Sequence, residues 1–344
     1  MTSTTASSAS TTAADPLAQA EKLVYLSRHD VLGLEVSRHD ILRLTREALV
    51  AHGSKRFEMP AKIGVHPYSD VFYHAMPAYV PEKRAAGCKW IECYPQNPRK
   101  FDLPQTTGLL VMNDVESGAP VAVMDSAWIT AMRTPAVTIL AAAALHPGAT
   151  TFAMFGCGVQ GREHVQFAAE ALPDLKTIFV YDNREDAADR LVADLSPLYP
   201  HVTIVKGDSP EAVAKSAAVL SSATVILKEP QAVVKDEWVS AGQTILPCDL
   251  NTFWDPVTSR RADAYIVDSI DEHELFAGMG YFPEGLPTIT CEIGQVLAGL
   301  APGRTSPDQL IVNSNIGMAV VDVVVGRHIY EKALERNVGT TLPL

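Results

Sequence analysis

The chain has few cysteines and no pattern among them. Five occur, at Cys88, Cys93, Cys157, Cys248 and Cys291, an odd number with no CxxC pair. This excludes a disulfide framework and a paired-thiol redox centre, and it fits a reduced, cytoplasmic compartment. Each cysteine reads as a small buried residue. No apolar run reaches the ~18 residues of a membrane-spanning helix. Positive charge is also short: 28 Lys and Arg stand against 40 Asp and Glu, a net charge of -12. No basic cluster is available to follow a phosphate backbone, so nucleic-acid binding is not expected. There is no GxSxG nucleophile elbow. His66 and His74 have no third partner in sequence to complete a metal site. Residues Met1 to Asp15 are mostly Ser, Thr and Ala, without the apolar core of a secretion signal or the arginines of a transit peptide. They are expected to form a disordered tail.

What is present suggests a large α/β protein. At 47% hydrophobic and 20% charged residues, the chain can bury a substantial core. Ser-Arg-His-Asp occurs twice, at Ser27–Asp30 and Ser37–Asp40. The first copy follows a short strand at Leu23–Leu26. In the second, Ser37 is placed to cap a helix with Ile41, Leu42, Leu44 and Leu49 inside. Two copies do not make a repeat protein. From Lys62 to Met124, short apolar runs separated by turns predict a mostly antiparallel sheet, with a hairpin turn at Asn113–Gly118. An Ala/Ile/Leu-rich helix follows from about Ser126 to Leu145. Strands and helices then alternate: strands at Thr150–Phe155, Thr177–Tyr181, Val202–Val205, Ala218–Ser221, Gln243–Pro247 and Ala264–Val267, with helices at Arg162–Glu170, Glu185–Leu195 and Pro210–Ala217. That alternation predicts a parallel, doubly wound sheet. A last helix, about Gly317 to Arg336, is expected to pack back onto the first sheet.

The sequence Gly156-Cys157-Gly158-Val159-Gln160-Gly161 has the GxGxxG spacing of a dinucleotide-binding turn. The first glycine permits the tight turn, the second admits the pyrophosphate, and the third lets the helix approach the strand. The spacing alone is weak evidence, but here it lies between a strand and a helix. Asp182 ends the next strand about 20 residues on, where a carboxylate accepts hydrogen bonds from a ribose 2′-hydroxyl. It would repel a 2′-phosphate, which favours NAD over NADP, although the neighbouring Arg184 could meet a phosphate. The expected cofactor-binding set is Gly156, Gly158, Val159, Gln160, Gly161, Asp182, Asn183, Arg184, Ser222 and Thr224.

Several segments in order carry a wider resemblance. They are Met76-Pro77; Gly87-Cys88-Lys89-Trp90 with Asn97; Asn113-Asp114 with Gly118; Thr130-Ala131-Met132-Arg133-Thr134-Pro135-Ala136; the glycine turn; and Pro247-Cys248-Asp249. From about residue 20 to 335 the chain resembles the ornithine cyclodeaminase/mu-crystallin family. The resemblance implies a central Rossmann domain and an α/β substrate-binding and dimerisation domain built from both chain ends. The corresponding boundaries are 16–137 with 316–344 for the substrate domain and 138–315 for the Rossmann domain. It also implies amino-acid chemistry: cyclodeamination of ornithine, ketimine reduction, or interconversion of oxo acids and amino acids. Asp249 falls where the family keeps its catalytic Asp. The chain departs from the cyclodeaminase pattern at Lys62, which replaces a substrate-binding Arg, and at His74, which replaces a Glu two residues before Met-Pro. It also departs at Asn315-Ile316-Gly317, in place of Ser-x-Gly, and at Leu250–Trp254, in place of a small, Gly-rich continuation.

Hydride chemistry at an amino-acid carbon needs fixed cations for the carboxylate and a group to handle the proton on nitrogen. Arg133 can grip a carboxylate bidentately; the alternative is a structural ion pair near the domain junction. Lys89, flanked by Cys88 and Trp90, must find an anion or lose its charge, unless it snorkels to the surface. Asp249, at the C-terminal end of a strand, is assigned proton transfer, with capping of the next loop as the alternative. His74 and Lys62 are expected at the substrate side chain. For His74, a satisfied core or surface histidine is the competing reading. The resulting expectation is an NAD-dependent oxidoreductase, a dimer by the family resemblance, acting on the CH–NH group of a small amino acid or its imine. One rival is a true ornithine cyclodeaminase, against which His74 argues. The other is a non-enzymatic, crystallin-like dinucleotide-binding protein, against which the joint presence of Lys89, Arg133 and Asp249 argues.

Overall fold

The computed structural model describes residues 22–344 apart from positions 70, 228 and 251. The tail expected at residues 1–15 lies outside them. Two sheets organise the described chain. One has seven strands and draws on both chain ends; the other has eight and is built from residues between 151 and 314.

The seven-stranded sheet runs, in spatial order, Thr340–Pro343 (β15), Lys22–Leu26 (β1), Pro120–Asp125 (β6), Thr106–Asn113 (β5), Ala85–Cys93 (β4), Val71–Val80 (β3) and Ile63–Tyr68 (β2). Every pairing is antiparallel except β1 with β6. Side chains alternate between faces. Met76, Ala78, Val80, Ile91, Leu110, Met112, Ala122 and Met124 join the core, and each fully buried Val, Leu, Ile or Met among them contributes about 1.5–3 kcal/mol. The core face is covered by the helices Ala127–Leu145 (α3) and Ala319–Arg336 (α10), with Arg38–Gly53 (α2) packed against both.

Both copies of Ser-Arg-His-Asp are helix caps. Ser27 Oγ accepts from the Asp30 amide (3.2 Å), and the Asp30 carboxylate accepts from the Ser27 amide (2.9 Å), closing a capping box on the helix Arg28–Gly33 (α1). Ser37 accepts from the Asp40 amide at the start of α2. Helix α3 is long and apolar enough to cross a membrane by length and composition, but it lies mostly inside the fold. It is continuous through residues 137 and 138, so the domain boundary expected there falls within a helix.

The eight-stranded sheet is entirely parallel, in the order Cys291–Glu292 (β13), Ala264–Val267 (β12), Ile311–Ser314 (β14), Thr244–Pro247 (β11), Val219–Ser222 (β10), Thr151–Phe155 (β7), Thr177–Tyr181 (β8) and Thr203–Lys206 (β9). From β7 the chain steps outward through β8 and β9, then returns to β10 on the other side of β7. That reversal makes a crevice at the carboxyl ends of β7 and β10, the usual ligand position in open α/β sheets. The glycine turn leaves β7 there and leads into the helix Val159–Ala171 (α4).

Candidate active site

The turn after β7 has the geometry its glycines dictate. Gly156 adopts φ +96°, a left-handed conformation that favours glycine. A Cβ on Gly161 would lie 1.8 Å from the Gly156 carbonyl oxygen, so only glycine allows α4 to start this close to β7. A Cβ on Gly158 would meet nothing within 4 Å, which leaves the outer side of the turn open at the amino end of a 13-residue helix. Asp182 follows β8 and accepts hydrogen bonds from the Cys157 amide (2.7 Å) and the Arg184 amide (2.9 Å), with the Arg184 guanidinium 3.8 Å away. Val159, Asn183 and Arg184 are exposed at this rim. Gln160 turns inward and donates to the Thr130 carbonyl (3.2 Å).

A cavity of about 200 Å³ runs from this turn to the core face of the seven-stranded sheet. Gln160, Ala223 and Thr224 line one end. Lys62, His74, Lys89 and Arg133 line the other. Strand pairing sets the sheet residues: His74 on β3 and Lys89 on β4 both point to the core side. Arg133 comes from α3.

Behind this wall lies a carboxylate absent from the candidate residues above. Asp322, on α10, is fully buried, with Oδ2 2.6 Å from Lys89 Nζ and Oδ1 3.3 Å from Arg133 Nε. Lys89 is fully buried too, which excludes the snorkelling alternative. Burial pushes its pKa down to about 7, with Arg133 and Lys62 adding to the fall and Asp322 opposing it. One sequence signal could have revealed Asp322: it is the lone charge in the run Val320-Val321-Asp322-Val323-Val324-Val325 and so requires a buried cation.

The segment after β14 ties the remaining groups together. The Gly317 carbonyl accepts from Lys62 Nζ (3.0 Å), and its amide donates to Asp268 Oδ2 (2.6 Å). Lys62 also lies 3.7 Å from Glu272 Oε2 and 5.2 Å from the Phe276 ring centroid. Burial raises the Glu272 pKa, and Lys62 opposes that rise. His74 stacks on Phe72 with centroids 4.0 Å apart. Burial first, then the charges of Lys62, His66 and Lys89, push its pKa down to about 3, so its imidazole is neutral.

Two residues of the expected site lie away from the cavity lining. Asp249 does not line the cavity. Its side chain is fully buried and accepts from Ser222 Oγ (2.7 Å), the Thr224 amide (3.0 Å) and Thr224 Oγ1 (2.6 Å). It braces the turn that follows β10, an earlier turn than the following loop whose capping was the alternative. Ser222 is likewise buried, with its hydroxyl shared between Asp249 and the indole Nε1 of Trp254 (2.7 Å), so it does not face the crevice. Asp268, not singled out from the sequence, is the carboxylate that does line the cavity. Cys248 also lines it, but burial pushes its thiol up to about 12, which keeps it protonated and unreactive.

The sequence profile described as the ornithine cyclodeaminase/mu-crystallin family matches residues 21–337. A nodulation efficiency protein, NfeD, of Rhizobium meliloti is 32% identical over 92% of this chain and 97% of its own length. The structure of Thermococcus litoralis Delta(1)-pyrroline-2-carboxylate reductase in complex with NADH and L-proline superposes with a TM-score of 0.82. It is 26% identical and covers 92% of this chain and 99% of its own. An archaeal alanine dehydrogenase dimer with bound NAD gives a TM-score of 0.82 at 28% identity, covering 93% of this chain and 99% of its own.

Proposed function

Because the chain belongs to the ornithine cyclodeaminase/mu-crystallin family, we propose that it is an NAD-dependent oxidoreductase acting on the CH–NH group of a small amino acid or the corresponding imine. The observation that carries this reading is the single cavity joining the glycine turn to Lys89 and Arg133. In this reading the eight-stranded sheet and its helices form the dinucleotide-binding domain, and the seven-stranded sheet with α2 and α10 forms the substrate domain.

The residues at the turn fit a dinucleotide. The space beside Gly158 and the amino end of α4 suit a pyrophosphate, and Asp182 retains lone pairs for ribose hydroxyls. Bound there, NAD would supply the acceptor or donor of the hydride exchanged at the substrate's Cα. Arg133 meets the substrate carboxylate. Lys89, whose proton affinity lies near neutrality, takes a proton from the nitrogen when the amine is oxidised and returns one when the imine is reduced. Placing this role on Lys89 follows from the position of Asp249 away from the cavity. Lys62 and His74 form the wall at the substrate side chain.

The outer face of the seven-stranded sheet exposes Ile63 (72%), Val65 (57%), Trp90 (44%) and Leu109 (45%). An apolar sheet face of this kind suits a second copy of the chain, and the archaeal alanine dehydrogenase neighbour is a dimer. The reaction is tested by incubating the protein with NAD and a panel of amino acids, and with NADH, oxo acids and ammonia or methylamine, while following NADH absorbance. Cofactor oxidation or reduction with at least one amino acid or imine is expected. No change across the panel, with cofactor binding intact, would overturn the assignment.

A further inference from the structure

We infer that Asp322 is the positioning residue of this site: from behind the cavity wall it holds Lys89 and Arg133 in the pose in which they meet substrate. The inference rests on the oxidoreductase reading for what that substrate is, but its geometry is independent of it. Asp322 is fully buried, and its two oxygens are directed at two different cations on two different elements, Lys89 on β4 and Arg133 on α3. No other carboxylate lies as close to Lys89 among the described residues; its other charged neighbours are Arg133 and Lys62, and His74 on β3 is neutral. Thr130 Oγ1 stands 3.5 Å from Lys89 Nζ and is uncharged.

The arrangement sets both orientation and protonation. A lysine buried among apolar groups and beside an arginine loses its proton readily. Asp322 offsets that tendency and keeps Lys89 able to carry a proton near neutral pH, so that the group can cycle between acid and base. Without Asp322, Lys89 would be neutral across the physiological range and Arg133 would lose the partner of its Nε. Asp322 need not touch substrate to do this, since it acts through the two cations in front of it.

The test compares the full-length wild type with Asp322→Asn, which keeps the shape and removes the charge. Protein labelled with ¹³C at the lysine Cε is titrated by NMR, and the Lys89 signal is assigned as the one missing from Lys89→Arg. In the wild type this signal should titrate near pH 7. In Asp322→Asn its midpoint should fall by about one unit or more, with the charged fraction at neutral pH dropping from about a half to about a tenth or less. The limb of the kcat/KM profile governed by Lys89 should move to lower pH with it, for amine oxidation and imine reduction alike. A purely structural Asp322 would lower thermal stability and leave both the midpoint and the profile in place, and that result would overturn the inference. Should Asp322→Asn fail to fold, Asp322→Glu keeps the charge and displaces it. It should retain the Lys89 midpoint to within about half a unit while lowering kcat/KM about tenfold or more. Unaltered kcat/KM in that variant would overturn the inference. A moved midpoint in a protein that turns over no amino acid would uphold the Asp322–Lys89 pairing and refute the oxidoreductase reading instead.

Discussion

Replacing Gly317 by alanine should damage substrate binding more than it damages the fold. The residue has φ +96°, a conformation that costs an L side chain about 1–3 kcal/mol. The new Cβ would lie 2.4 Å from Arg133 Nη1 and 2.7 Å from Nη2. Both atoms are at the far end of a flexible side chain, so the guanidinium can swing away, and the steric clash becomes a displacement. A displaced Arg133 can no longer present its fork to a carboxylate, and hydrogen bonds to charged groups are worth about 1.5–3 kcal/mol. That range corresponds to a loss in substrate affinity of about tenfold to somewhat over a hundredfold. The glycine turn is built from other residues, so NADH affinity should not change. The assay is a thermal melt, calorimetry with NADH, and KM for the best substrate of the amino-acid panel, all on wild type and Gly317→Ala. An unchanged KM in a destabilised protein would remove Arg133 from the carboxylate site and refute the reasoning.

Other outcomes follow from the same structure. Asp249→Asn should lower stability by about 1–3 kcal/mol, because an amide cannot accept from all three donors of Ser222 and Thr224; an about 10²–10⁴-fold loss of turnover at unchanged stability would return proton transfer to Asp249. His74 binds its proton more weakly in the folded than in the unfolded chain, so it withdraws stability as pH falls from about 6.5 towards about 3. His74→Gln should therefore flatten acid unfolding over that window, and an identical acid transition in wild type and variant would contradict the buried, neutral assignment. Calorimetry should find NAD(H) bound more tightly than NADP(H) where, as proposed, Asp182 meets the adenosine ribose, and Asp182→Ala should narrow the gap; equal affinities in the wild type would show that Asp182 does not.

The parts of the fold that were legible in the sequence are those whose causes are local. The glycine turn, its flanking strand and helix, and Asp182 are fixed by spacing within one βαβ unit. The helix Glu185–Leu195 and the strand Ala264–Val267 end where their patterns end. β2 falls inside the stretch from Lys62 expected to be sheet, but its bounds are not legible because it is exposed along its length, contains Pro67 and shifts register between Val65 and Tyr68, so it shows no apolar alternation. β14 and β15 were missed as strands. Each gains its partners from distant segments: β14 is held between β11 and β12, and β15 pairs with β1 at the other end of the chain.

The same distinction separates the site residues. Lys89 and Arg133 carry charge in apolar surroundings and could be recognised as needing partners, but the partner, Asp322, lies far along the chain on α10. The placement of Asp249 is not legible locally, because a carboxylate at the end of a parallel strand can face the crevice or brace the neighbouring strand. Only the hydroxyls of Ser222 and Thr224, on the next strand and turn, decide between the two.

The central claim is that this chain moves a hydride between the Cα of an amino acid and NAD. It is tested most directly by incubating the protein with NAD⁺ and amino acids deuterated at Cα, then measuring the mass of the NADH that forms. The account predicts NADH carrying one deuterium, together with the oxo acid that results when the imine hydrolyses. NADH formed without deuterium, or amino acid consumed at the same rate whether Cα carries hydrogen or deuterium and with no cofactor required, would contradict it.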